Sequence, residues 1–280
     1  MPELPEVETI RRQLAPVLSG ARVGESWAHP SAKFATATAA TGAVLGELAR
    51  RGKYLLAPLD DDRELVVHLG MTGSLAVVAR TDEVDPYVRA WWDLDLDGAS
   101  VVPDGVSGPA VRLRYRDVRR FGRTVVVARG SYEALPTLAA LGPEPFDPAF
   151  DGDALWRATR RSRARIKTQL LGQRVVAGVG SIYADEALWE AGVHPARRAI
   201  TRVQAHRLVP ALQEALASSI ERGGTTFRDY RDARGSEGEN QRHLRVYGRA
   251  GEPCVRCGTE LRRRVWDGRS ATFCPTCQPR

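Results

Sequence analysis

All four cysteines of this chain fall in two Cys-x-x-Cys pairs near its end, Cys254-Val255-Arg256-Cys257 and Cys274-Pro275-Thr276-Cys277, separated by sixteen residues. No other feature limits the conformation of so many residues at once. Two such knuckles at this separation can present four thiolates tetrahedrally, the arrangement structural zinc prefers. With no open coordination position, the metal is expected to fold the module rather than to catalyse. Structural disulfides fit poorly, because the acidic start of the chain is the opposite of a signal peptide and points to the cytoplasm. One structural zinc on Cys254, Cys257, Cys274 and Cys277 is therefore expected, with Arg262-Arg263-Arg264 and Arg269 on a hairpin that could grip phosphate.

Upstream, the pattern changes twice. Val7, Ile10, Leu14 and Val17 recur near helical spacing and predict an amphipathic helix from about Leu4 to Leu18. Short strands follow at Lys53–Leu59, Leu65–Leu69, Ser74–Val78, Trp91–Leu96, Ala110–Tyr115 and Arg123–Val127. The Asp, Gly and Pro clusters between them suit an antiparallel sandwich. After a Gly-Pro-rich linker the pattern turns helical. Asp153 is placed to cap Ala154–Arg161, Gly178-Val179-Gly180 breaks the chain before Ile182–Ala191, and Thr201 and Gln204 have capping-box spacing. The expected organisation is α+β, with a β-sandwich domain over 1–135, a linker over 136–150, a helical domain over 151–240 and the cysteine module over 241–280. No apolar run approaches membrane-spanning length.

Charge is divided unevenly. From Leu155 onward, 24 Lys and Arg face 12 Asp and Glu, while the first 154 residues carry a net charge of −5. A basic C-terminal half suits a polyanionic partner such as nucleic acid. Only three of the 41 basic residues are lysine, namely Lys33, Lys53 and Lys167, which hints that an ammonium is wanted at those positions.

The start of the chain carries chemistry. Removal of Met1 before the small residue Pro2 would leave a secondary amine, and α-amino groups titrate near about 7.7–8.0. Such a nitrogen can attack a sugar C1′ or an aldehyde to form an iminium. Glu3 beside it and Glu6 one turn later place carboxylates where they could move protons. The same residues also make an ordinary helix start, with proline in the first turn and acids favoured by the dipole.

Three other segments read two ways. Val179-Gly180-Ser181-Ile182 is either a simple turn or a helix N-terminus open to a phosphate. Arg119-Arg120-Phe121-Gly122 is either a surface hairpin or an aromatic wedge for a base stack, flanked by guanidiniums. His68-Leu69-Gly70-Met71-Thr72-Gly73 either buries Met71 or exposes it as a flexible plug.

Taken together, the octapeptide Met1–Glu8, Arg51-Gly52-Lys53-Tyr54, the His68 and Arg119 motifs, the glycine turn and the cysteine module resemble the formamidopyrimidine-DNA glycosylase and endonuclease VIII family over nearly the whole chain. The Glu3-Leu4-Pro5-Glu6 form resembles the former branch. The resemblance implies a helix–two-turn–helix domain before a zinc-finger hairpin. It implies a bifunctional glycosylase and abasic-site lyase of base excision repair, acting as a monomer on damaged double-stranded DNA clamped between the domains. It implies Pro2 as nucleophile, Glu3 as general acid and base, and Glu6 as a supporting carboxylate. Lys53, Ser181 and Arg269 would hold phosphates around an extruded nucleotide. Met71, Arg119 and Phe121 would fill the gap and face the orphaned base, Arg120 beside them would bind DNA, and Lys167 would lie near the lesion pocket.

The sequence also departs from the family. Ser181 replaces an asparagine, the His-x-His expected near Asp85-Pro86-Tyr87 is missing, and Ser100–Pro109 reads as an insertion. Gly238-Glu239-Asn240-Gln241 lacks the two apolar residues expected in a lesion-capping loop, and weaker discrimination for 8-oxoguanine is expected from it. A paralogue acting on oxidised pyrimidines or bulky alkylated bases, a damaged-DNA binder without turnover, and a zinc-ribbon adaptor are the alternatives. Neither of the last two explains the N-terminus.

Overall fold

The computed structural model describes residues 1–83, 85–96 and 110–280, which divide into two compact units. The first holds Met1–Ala139 with Arg222–Glu239, and the second Ala140–Glu221 with Asn240–Arg280. The expected insertion at Ser100–Pro109 lies outside the described residues.

The first unit opens with α1 (Leu4–Leu18), followed by β1 (Arg22–Ala28), β2 (Ala49–Arg51), β3 (Tyr54–Pro58), β4 (Arg63–His68), β5 (Gly73–Ala79), β6 (Val88–Asp95), β7 (Ala110–Asp117), β8 (Arg123–Ala128) and the single turn α2 (Pro136–Ala139). The strands form two antiparallel sheets, ordered β1-β6-β7-β5 and β2-β3-β4-β8. Inward residues of both sheets, among them Leu55, Leu65, Val67, Leu75, Trp92, Leu94 and Leu113, make one core. Val7, Ile10, Leu14 and Val17 of α1 are buried in it, each contributing roughly 1.5–3 kcal/mol. The Trp92 indole meets its polar need inside this core by donating to the Ala37 carbonyl at 2.9 Å.

Two strands have no counterpart in the sequence reading. β1 buries only Val23 fully and exposes Trp27, because it is an edge strand paired on one side to β6. β2 is three residues long, ending Arg50-Arg51, and shows no apolar period. Arg222–Glu239, read as part of the helical domain, groups instead with the sandwich, where Tyr230 and Ala233 enter the core.

The second unit contains α3 (Gly152–Thr159), α4 (Ile166–Leu171), α5 (Ser181–Glu190), α6 (Arg202–Glu221), β9 (Arg262–Trp266) and β10 (Arg269–Phe273). Asp151, not Asp153, caps α3, accepting the Ala154 N–H at 2.7 Å. Asp153 is already within the helix, one residue past its start, and its carboxylate pairs with Arg202 and His206 of α6. The expected capping box of α6 is present: the Thr201 N–H donates to Gln204 Oε1 at 2.9 Å, and the Gln204 N–H to Thr201 Oγ1 at 3.1 Å.

α5 is the centre of this unit, buried from Ile182 to Trp189. Its two buried acids are therefore committed inside. Glu186 accepts the N–H groups of Arg245, Val246 and Tyr247 at 2.8–2.9 Å, and burial still pushes its carboxyl up. Trp189, near the end of α5, packs with Val246, Leu261, Cys254 and Cys274, so the helix and the cysteine module share a core.

Candidate active site and nucleic-acid interface

Pro2, Glu3 and Glu6 are all buried, Glu3 with 3 % and Glu6 with 1 % of its surface exposed. Glu6 does not stand free as a proton carrier. Its Oε2 accepts the Glu3 N–H at 2.7 Å, closing the first turn of α1, and its Oε1 accepts the Thr225 N–H at 2.8 Å. One carboxylate thus fixes both the backbone next to Pro2 and the start of the segment after α6. The approach is close: Gly224 has φ +89°, and a Cβ there would lie 3.0 Å from Glu6 Cγ. Tyr230 completes the arrangement by donating to the Gly223 carbonyl at 3.1 Å, and burial, then Glu6, pushes its phenol up.

Thr225 and Thr226 carry no signal in the sequence, since two threonines after Gly-Gly look like any loop. Both are buried, and Thr226 Oγ1 accepts the Gly238 N–H at 3.0 Å. The Glu239 N–H donates to the Arg222 carbonyl at 2.9 Å, which closes the loop and puts Glu239 at its root. Asn240 beside it is buried and opens a short 3-10 turn. The Glu239-Asn240 pair is therefore not at the tip, and the expected loss of apolar area over a base does not follow from it. The loop carries an aromatic instead at Phe227, which is 52 % exposed.

Lys53 sits in the two-residue turn between β2 and β3, where Arg51 pairs with Tyr54 and Gly52 adopts φ +55°. Its side chain is buried. His68, at the end of β4, stacks on Tyr54 with ring centroids 4.6 Å apart. Burial, then the positive charges of Lys53 and Arg123, bring its imidazole down to about 4. Beyond it, the β4–β5 and β7–β8 loops hold Met71 and Phe121 outward, 37 % and 50 % exposed, with the Arg119 guanidinium 4.6 Å from the Phe121 ring centre. Arg119 and Arg120 are exposed as well. The wedge residues read from sequence thus lie together on neighbouring loops of the first unit.

In the second unit, Gly180 precedes α5 without a side-chain cap, and Ser181 is its first residue. Gln173 shapes the preceding turn by accepting the Gly178 N–H at 2.8 Å. Lys167 is only 4 % exposed, and its Nζ lies 2.7 Å from Asp185 Oδ1 and donates to the Ser270 carbonyl at 2.6 Å. Asp185 Oδ2 accepts the Thr272 N–H at 3.0 Å, so the pair braces β10. Burial pushes the Asp185 carboxyl up to about 7 against the pull of Lys167. Lys167 therefore acts on the strand that begins at Arg269, and its ammonium is not displayed at the surface.

β9 and β10 join through Asp267-Gly268, both with positive φ, the two-residue turn that an Asp-Gly pair favours. Arg262, Arg263, Arg264 and Arg269 are exposed on this hairpin. At its base the four cysteine sulfurs lie within 4.8 Å of one another, with Cys254 and Cys277 3.9 Å apart and Cys257 and Cys274 3.5 Å apart. Tetrahedral zinc with bonds of about 2.3 Å needs sulfurs about 3.8 Å apart, so the donor set and its spacing fit that ion.

A family model for the formamidopyrimidine-DNA glycosylase N-terminal domain matches residues 1–124. A second, for the formamidopyrimidine-DNA glycosylase H2TH domain, matches residues 141–231, and a third, for a zinc finger found in FPG and IleRS, matches residues 251–280. The formamidopyrimidine-DNA glycosylase of Thermomicrobium roseum is 46 % identical, over 100 % of this chain and 99 % of its own length. That of Deinococcus radiodurans is 39 % identical, over 100 % and 98 %. The crystal structure of the MutM (FPG) protein from Thermus thermophilus matches with a TM-score of 0.86 at 43 % identity, covering 99 % of this chain and 98 % of that one. A Lactococcus lactis FPG mutant in complex with a Fapy-dG containing DNA matches with a TM-score of 0.86 at 33 % identity, covering 100 % of both. The chain belongs to the formamidopyrimidine-DNA glycosylase family.

Proposed function

We propose that this chain is a bifunctional DNA glycosylase and abasic-site lyase that removes oxidised or ring-opened purines from duplex DNA in base excision repair. The observation that carries the reading is the buried Glu3 carboxylate next to Pro2, at a helix start that Glu6 holds fixed. A base in a stacked duplex is out of reach, so the damaged nucleotide is extruded before chemistry.

With Met1 removed, the Pro2 nitrogen attacks C1′ and the glycosidic bond breaks, the base leaving as an anion with the bonding pair and taking its proton from water. Glu3 takes the proton from the Pro2 nitrogen and delivers it to O4′ as the sugar ring opens, leaving an iminium between Pro2 and C1′. The iminium acidifies C2′–H. Loss of that proton expels the 3′ phosphate, and a second elimination expels the 5′ phosphate. Lys53, Ser181 and Arg269 hold phosphates, Arg120 binds the DNA backbone, and Met71, Arg119 and Phe121 occupy the vacated space. Zinc, when bound, cross-links the base of the hairpin that presents Arg262–Arg264 and Arg269. The first unit supplies the chemistry, the second supplies basic surface, and the protein works as a single chain in the cytoplasm, associated with DNA.

Borohydride trapping on a duplex carrying one formamidopyrimidine or 8-oxoguanine opposite cytosine tests the reading. A covalent adduct on the peptide that begins with Pro2 is expected. An adduct on Lys53, or none with lesion-containing DNA, would overturn it.

A further inference from the structure

The β4–β5 loop, bearing Met71, and the β7–β8 loop, bearing Arg119 and Phe121, converge on one side chain that no sequence motif marks. Asp117, the last residue of β7, is fully buried. Its Oδ1 accepts the Thr72 hydroxyl at 2.6 Å, and its Oδ2 accepts the Gly122 N–H at 2.8 Å and the Tyr115 hydroxyl at 3.4 Å. Thr72 Oγ1 in turn accepts the Arg119 N–H at 3.1 Å. One carboxylate therefore ties the residue after Met71 to both ends of the Arg119–Phe121 turn.

The main chain of Asp117 is held as firmly. Its N–H donates to the Tyr87 carbonyl at 2.9 Å, and its own carbonyl accepts from Arg89 Nε at 2.9 Å. The two loops touch back to back: a Cβ at Gly70 would sit 2.4 Å from the Gly122 nitrogen, and one at Gly122 would sit 1.8 Å from the Tyr115 hydroxyl. Arg120 takes φ +56°, a left-handed conformation that disfavours a residue with a Cβ, and Lys33 Nζ supports it by donating to the Arg120 carbonyl at 2.7 Å.

Burying a carboxylate is expensive unless its oxygens are well satisfied, and an apolar side chain would pack a strand end at less cost. This carboxylate instead fixes two loops whose apolar tips remain exposed. Tips that must enter a base stack together lose least free energy when their relative position is set beforehand. We propose that Asp117, through Thr72, is a positioning residue that locks Met71 and Phe121 in register, so that they enter the duplex as one wedge. The inference rests on the proposed function, in which these residues fill the vacated space.

The test compares single-turnover excision of 8-oxoguanine from two duplexes, one with cytosine opposite the lesion and one with a tetrahydrofuran abasic analogue there. The second has no orphaned base to support. Phe121→Ala is the control for the wedge role itself and should slow the first substrate more than the second; equal slowing would overturn that role and the inference with it. Thr72→Val keeps size but removes the hydroxyl. It should slow excision opposite cytosine by roughly tenfold, equivalent to about 1.4 kcal/mol, with a much smaller effect on the second substrate. Asp117→Asn should show the same selectivity, and Thr72→Ser should restore wild-type rates. If Phe121→Ala is selective while Thr72→Val and Asp117→Asn slow both substrates equally, or neither, the positioning role is wrong.

Discussion

The Glu6 carboxylate accepts the Thr225 N–H at 2.8 Å across 219 residues of sequence, while its other oxygen holds the Glu3 N–H. The residue that closes the first turn of α1 is thus the one on which the loop after α6 rests. An amide in its place can accept at only one of these two positions. Glu6→Gln should therefore destabilise the first unit by roughly 1–3 kcal/mol, the cost of an unmet buried partner. Denaturant unfolding with an unchanged midpoint would show that the bridge contributes nothing.

Glu3→Gln should separate the two activities. The amide keeps the size of the side chain but cannot carry the proton from the Pro2 nitrogen to O4′ as the base departs. Base excision should be lost, while strand cleavage at a preformed abasic site persists at a reduced rate, because no base has to leave there. Equal loss of both activities at unchanged DNA affinity would assign Glu3 to a shared step.

Phe227 offers a third test. Half its surface is exposed on the loop anchored by Glu6, so Phe227→Ala should change stability by less than about 0.5 kcal/mol. Lesion excision should nonetheless slow more than cleavage at an abasic site, where no base is covered. Identical slowing on both substrates would remove Phe227 from base recognition.

The cysteine module should contain one zinc per chain. Cys274→Ser leaves three thiolates and should weaken DNA binding, with the salt dependence becoming shallower by about 0.9 in log–log slope for each phosphate no longer neutralised. The sandwich core shares no residue with the module cluster and should keep its melting behaviour. An unchanged salt slope would mean that Arg262–Arg264 and Arg269 do not grip phosphate.

His68 gives a pH dependence of definite sign. Burial and the nearby positive charges lower its folded value from 6.5 to about 4, so between these values the unfolded chain binds the additional proton. Its contribution to stability is complete above 6.5 and is lost as pH falls towards 4. Thermal melts across this window should flatten in His68→Gln. A wild-type slope retained in the variant would assign the effect to another group.

The sequence by itself determined what depends on local spacing. The α1 period at Val7, Ile10, Leu14 and Val17, the Thr201–Gln204 capping box and each single Cys-x-x-Cys knuckle involve groups a few residues apart, whose geometry the backbone sets. The strands with a clear apolar run were legible for the same reason, while β1 and β2, polar edge strands, were not. Tertiary structure alone decided the partners of buried charge. Nothing local distinguishes Asp117 from any acid at a strand end, Lys167 from a surface lysine, or Thr225 from a loop threonine. Each is defined by a hydrogen bond or ion pair to a distant residue: Asp117 to Thr72, Lys167 to Asp185, and Thr225 to Glu6. A buried polar group must find a partner wherever the chain brings one, and only the folded chain fixes which that is.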